Sequence, residues 1–274
     1  LTSTGLRSAA EAAGAAARSG SGGVREVVLS ASATPPPAII EVFPADIPKQ
    51  RKVALLERAD AVARAEGDAI TQVMVRYGDS QRRTQIANSD GLLAGDRQVR
   101  TMFSVSSVAT GDTGMQTGRE SVGNTVGFEL FDHIDVGDLA QRASRRAIVK
   151  LDAVPAPSGE MPVVVGPGGG GVLFHEACGH GLEADLVAKS ASVFAGRRGG
   201  QVAAPEVTLV DDGTMDGEWG RYTVDDEGRP ARRNVLIENG VLTDYMWDWL
   251  RARKEGRESS GNGRRQNYRY LPMV

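Results

Sequence analysis

The chain has 274 residues, of which 24% are charged, with a net charge of −3 at pH 7 and a single cysteine. That balance gives no whole-chain attraction for nucleic acid. One cysteine excludes an internal disulfide framework and fits a reducing cytoplasm. No apolar run approaches the roughly 20 residues of a membrane span.

In chain order, residues 6–17 are alanine-rich and predict a short helix, ended by Ser19-Gly20-Ser21-Gly22-Gly23. Residues 24–31 alternate as a strand, and Pro35-Pro36-Pro37 breaks the chain. Residues 49–65 carry Val53, Leu55, Leu56, Ala59, Val62 and Ala63 at helical spacing. Residues 70–77, 83–88, 92–99, 102–109 and 115–121 read as strands, with Asn88-Ser89-Asp90-Gly91 as a hairpin turn. An antiparallel meander beside helices follows. Residues 136–151 form an amphipathic helix capped by Asp135. Pro155-Ala156-Pro157-Ser158-Gly159 is a linker. It divides an N-terminal domain, 1–154, from a second domain, 155–274.

The second domain opens with Val163-Val164-Val165, an expected short buried strand, and Gly166–Gly171, a glycine turn into a helix. A phosphate loop would have a similar outline, but no Lys-Ser/Thr follows the glycines. The helix carries His175-Glu176-Ala177-Cys178-Gly179-His180, which uses two of the three histidines. Neutral imidazole is a common zinc ligand, and a neighbouring carboxylate can take a proton from water held at such a metal. The histidines are five apart, roughly 140° around an ideal α-helix. Both reach one ion only if the helix is bent, bulged or ending, and Gly179 is expected to permit that. Glu183 is either a further ligand or a partner that orients an imidazole. Cys178 is either a ligand or, as a lone thiol, a small buried hydrophobe. Further on, residues 206–210 read as a strand, 234–238 and 241–245 as a hairpin across Asn239-Gly240, and 247–254 as a helix. Residues 196–200 and 255–265 read as mobile loops. Arg264, Arg265 and Arg269 form a basic cluster near Tyr268 and Tyr270, read as a solvated loop or a contact for a peptide carboxylate or a partner. The fold class is α+β: a helix-plus-meander domain, then a strand-rich, glycine-rich domain carrying the candidate metal helix.

The run from Phe174 to Asp185 resembles the signature of the TldD/PmbA metalloproteases, on the TldD side. Ile86-Ala87-Asn88-Ser89-Asp90-Gly91, Val224-Asp225-Asp226-Glu227-Gly228, Val235–Leu242, Gly261-Asn262-Gly263-Arg264-Arg265 and Leu271-Pro272-Met273 agree in order. The resemblance implies a zinc-dependent, cytoplasmic peptidase acting on short, unfolded or precursor peptides. His175 and His180 would be zinc ligands and Glu176 the general base. It further implies a homo-oligomer or a heterodimer with a related PmbA-like (TldE-like) subunit, with neither nucleic acid nor membrane as partner. The family's third protein ligand is a cysteine in a C-terminal region beyond this sequence, so the resemblance implies part of a longer protein. The alternative is a non-hydrolytic peptide-binding or structural subunit of a TldD/PmbA-type complex.

Overall fold

The computed structural model describes residues 2–18, 26–267 and 269–274. Its first half holds α1 (Ser3–Arg18), β1 (Ser30–Ala31), α2 (Lys49–Ala65), β2 (Ile70–Ala87), β3 (Leu92–Gly111), β4 (Gly114–Asn124), α3 (Leu130–His133) and α4 (Val136–Val149). Strands β2, β3 and β4 form the expected antiparallel meander, and β1 pairs in parallel with Leu92 and Leu93. The five predicted strands are in fact three. β2 runs without interruption through Gly78-Asp79-Ser80, which pair with Met102, Thr101 and Arg100. Those polar residues lie on an edge strand of the sheet, where a polar stretch marks a solvated edge or face rather than a turn. The strand expected over 24–31 shrinks to two residues, since it finds only the end of β3 to pair with; Val24, Arg25 and the glycine-serine turn before them lie outside the described residues.

Helices α2 and α4 cover one face of this sheet. Their Ala59, Ala63, Val136, Leu139, Ala140 and Ala143 meet Phe103 and Val105 of β3 in a buried core. Small residues bring α4 down onto the sheet. A β-carbon at Gly118 of β4 would lie 2.0 Å from the Ala143 carbonyl oxygen and 2.5 Å from the Ala147 nitrogen. Ser144 and Ser107, both buried, share a hydroxyl contact at 2.8 Å, and Ser144 also donates to the Ala63 carbonyl at 2.9 Å. The Asp135 cap is present: its carboxylate accepts from the Gly137 N–H at 2.6 Å.

The second half holds α5 (Gly169–Phe174), a π-helical turn (His175–Gly179), a 3-10 turn (His180–Leu182), α6 (Ala184–Ala188), β5 (Leu209–Asp212), β6 (Arg233–Glu238), β7 (Val241–Leu242) and α7 (Trp249–Lys254). The strands form one small antiparallel sheet with β5 at its edge. The hairpin turn is where the sequence placed it, with positive φ at Asn239 and Gly240. A core of Leu182, Phe194, Leu236, Ile237, Leu242, Tyr245 and Trp247 binds the candidate metal segment to this sheet. Val163–Val165 differ from expectation: they form no strand, and Val164 is wholly exposed. Valine favours extended backbone, but a strand exists only where a neighbour completes its hydrogen bonds. The 255–265 segment is also not a loose loop, because Ser259 and Asn262 are buried and hydrogen-bonded.

The two halves are joined by specific contacts. Asn124 and Thr125, at the end of β4, donate to the carbonyls of Gly217 and Trp219. Arg221 donates to the Pro36 carbonyl at 2.8 Å, and Arg82 of β2 pairs with the buried Asp226 at 2.5 Å.

Candidate metal and catalytic site

The five-residue histidine spacing is met by a change of helix type. α5 gives way at His175 to the π-turn, and the His180 N–H donates to the His175 carbonyl. An i→i+5 bond of this kind sets His180 over His175, where an α-helix would swing it away. The two imidazole rings lie edge to face with centroids 4.6 Å apart. One ligand-capable atom from each of His175, Glu176 and His180 falls within 4.8 Å of the others. All three side chains are exposed, and the Glu176 carboxylate is 3.9 Å from His180 Nε2.

Glu183 holds the second imidazole in place. Its carboxylate accepts from His180 Nδ1 at 2.7 Å, which fixes that ring nitrogen as the protonated one and leaves Nε2 as the lone-pair donor. The same hydrogen bond raises the His180 pKa above the usual imidazole value. Cys178 stands outside the donor group. It is half-buried and packs against the core around Leu182 and Leu236. Gly179 differs from the sequence expectation. Its φ and ψ of −55° and −56° are ordinary helical values, and an added β-carbon would meet His175 only at 3.7 Å. Bending therefore does not need that glycine. Gly181 is the constrained position: a β-carbon there would lie 2.8 Å from the Phe194 ring.

Beside the histidines runs a groove of about 450 Å³, lined among others by Phe174, His175, Leu209, Asp211, Asn262 and Arg264. The edge strand β5 forms one wall. Asp211 accepts from the amides of Asn262 at 2.8 Å and Asn234 at 3.3 Å. Asp211 and Asn262 were not legible as site neighbours, since they reach the groove from separate segments. The one available signal was the Gly261-Asn262-Gly263 turn before two arginines. Arg264 and Arg265 flank the buried Asp226; Tyr268 lies outside the described residues, and Tyr270 is exposed.

The residues present suit zinc: two imidazoles, one with a carboxylate fixing its tautomer, and a second carboxylate alongside. Among the described residues no helix is long and apolar enough to cross a membrane. Comparison with known proteins gives the family. The PmbA/TldA metallopeptidase central domain matches residues 43–151, and the PmbA/TldA metallopeptidase C-terminal domain matches residues 158–274. A metalloprotease TldD homolog of Haemophilus influenzae is 42% identical over 230 residues, covering 82% of this chain and 48% of that protein. A metalloprotease of Methanothermobacter thermautotrophicus is 38% identical over 221 residues, covering 81% of this chain and 48% of that protein. The chain thus spans about half the length of the curated relatives it matches. The crystal structure of TldE from Thermococcus kodakarensis has the same fold, with a TM-score of 0.76 at 23% identity over 94% of this chain and 57% of that one. The chain belongs to the TldD/PmbA family of metallopeptidases.

Proposed function

We propose that His175 and His180 hold a zinc ion and that Glu176 is the general base of a peptidase. The observation that carries this reading is the π-turn, which brings two imidazoles and a carboxylate within 4.8 Å of one another beside a groove that His175 lines. A bound zinc ion would acidify a water and polarise the scissile carbonyl. Glu176 then takes the proton from the attacking water and passes it to the leaving amine. Glu183 keeps His180 in the tautomer that presents Nε2. The edge of β5 is suited to pair with an extended peptide backbone, which would make recognition largely independent of sequence. Catalytic zinc sites commonly use three protein ligands, so the proposal includes one further ligand from outside residues 1–274.

The site lies in the second of the two proposed domains, 155–274, with 1–154 as its scaffold. For the whole protein we propose short, unfolded or precursor peptides as substrates, the cytoplasm as location, and assembly as a homo-oligomer or with a related PmbA-like (TldE-like) subunit. A non-hydrolytic subunit would have no use for Glu176 beside two histidines, one of them held in a single tautomer by Glu183, and for that reason the peptidase reading is preferred. The test is Glu176→Gln in the full-length protein. Peptide hydrolysis is expected to fall by at least a thousandfold while zinc content stays near that of the unsubstituted protein. An active, zinc-loaded Glu176→Gln protein would remove the mechanism.

A further inference from the structure

The groove beside His175 is lined by one arginine, Arg264, together with the carboxylates of Glu183 and Asp211. Arg264 lines that groove, and its only carboxylate contact within ion-pairing distance, among the described residues, is Asp226 at 3.4 Å. Asp226 is already held by Arg82 at 2.5 Å and by the Arg265 N–H at 2.9 Å. A third guanidinium, Arg100, has no ion-pair partner within 4 Å among the described residues, and its Nε is buried without a hydrogen-bond partner. Burial and the charges of Arg264 and Arg82 together lower the Arg100 pKa. Arg82 and Arg264 thus share one carboxylate, while Asp96 offsets part of the positive field at Arg100.

Arg264 is also held rigidly. Its N–H donates to the Met273 carbonyl at 2.7 Å, and its own carbonyl accepts from Met273 at 2.9 Å. Its guanidinium lies over the Tyr222 ring, 4.4 Å from the centroid, and the Tyr222 hydroxyl donates to the Gly261 carbonyl at 2.6 Å. Gly261 has a φ of +79°, and a β-carbon there would lie 2.3 Å from the Pro230 carbonyl oxygen. Asp225, fully buried, accepts from the N–H groups of Glu227, Arg229 and Gly263. A turn closed from so many sides presets the position of its arginine at little entropic cost on binding. The acids of the groove, by contrast, already have partners: Glu183 holds His180, and Asp211 holds Asn234 and Asn262.

We propose that Arg264 receives a carboxylate of the peptide substrate, so that the site prefers peptides bearing a carboxylate within reach of the scissile bond. The proposal rests on the peptidase reading for its substrate class. The carboxylate belongs either to the peptide's C-terminus or to an acidic side chain. A planar guanidinium suits either, because it can donate two parallel hydrogen bonds.

The test measures binding in full-length Glu176→Gln protein, where cleavage is blocked. Labelled hexapeptides are compared in two pairs: C-terminal acid against amide, and internal Glu against Gln. One pair is expected to show a preference of about tenfold or more for the carboxylate form, and that pair identifies the source. Adding Arg264→Gln should bring the ratio close to one. Arg264→Lys, which keeps the charge but loses the fork, should reduce the preference severalfold, and it carries the test if the Gln variant does not fold. No preference in either pair, or a preference unchanged in a folded Arg264 variant, would overturn the proposal. Peptide hydrolysis by the unsubstituted protein is measured alongside. If none occurs but the carboxylate preference behaves as expected, the peptidase reading fails and the role of Arg264 in binding stands.

Discussion

At the scale of single residues, the candidate site depends on hydrogen bonds that fix imidazole orientation. Glu183 is the clearest case. Glu183→Ala removes the acceptor at His180 Nδ1, frees the ring to rotate and to change tautomer, and should weaken zinc binding by about ten- to a hundredfold. Metal titration of the full-length variant decides this, and an unchanged affinity would reduce Glu183 to a surface residue. Cys178 makes the opposite prediction. It packs on the core beside Leu182 and lies outside the donor group. Cys178→Ala should cost about 1 kcal/mol in chemical denaturation and leave zinc affinity nearly intact. A loss far beyond tenfold, with the fold preserved, would make it a ligand. His175, Glu176 and His180 were legible as a group from residue type and proximity in sequence. Arg264 was not: its place in the groove depends on contacts with Asp226 and Tyr222, which lie far from it in the chain.

At the scale of elements, α2 and α4 were readable because one face of each buries a helical stripe of small and aliphatic residues. The Asn239-Gly240 hairpin was readable because its turn needs two residues at positive φ. The lengths of β2 and β3 were not, since polar residues on a solvated strand look like turn residues until the pairing partner is known. Nor was the π-turn, which does not rest on the intrinsic freedom of Gly179, since that residue has ordinary helical φ and ψ. Two predictions belong here. Gly118→Ala drives a methyl into the backbone of α4 and should destabilise the protein by about 3 kcal/mol, visible as a lowered urea midpoint. A midpoint within error of the unsubstituted protein would mean that α4 does not lie on β4 this closely. The second concerns Asp135, which caps α4 and pairs with Arg58 at 2.7 Å. The Gly137 N–H first, and then Arg58, lower its pKa below the ordinary carboxylate value. A depressed folded-state pKa gives stability that is present above the unfolded value near 3.9 and is lost as pH falls through the folded one. Both partners are substantially solvated, so Asp135→Ala should cost only about 1 kcal/mol at pH 7. That gap should narrow below about pH 4; a gap independent of pH between 2 and 7 would show that the charge contributes nothing.

At the scale of the whole molecule, the second half docks on the first through Arg82–Asp226, Arg221–Pro36 and the end of β4. The meander thereby serves as a base for the turn that carries Arg264, while the small β5–β6–β7 sheet and its core support the histidine segment. The α+β class was readable from the succession of helical and alternating stretches, whereas the docking contacts join residues up to 185 positions apart and leave no local pattern. Zinc content by elemental analysis tests the central claim most directly, in full-length protein and in its His175→Ala and His180→Ala variants. The account predicts about one zinc per chain in the unsubstituted protein and a large loss in each variant, with circular dichroism unchanged. Full metal retention in both variants would contradict it.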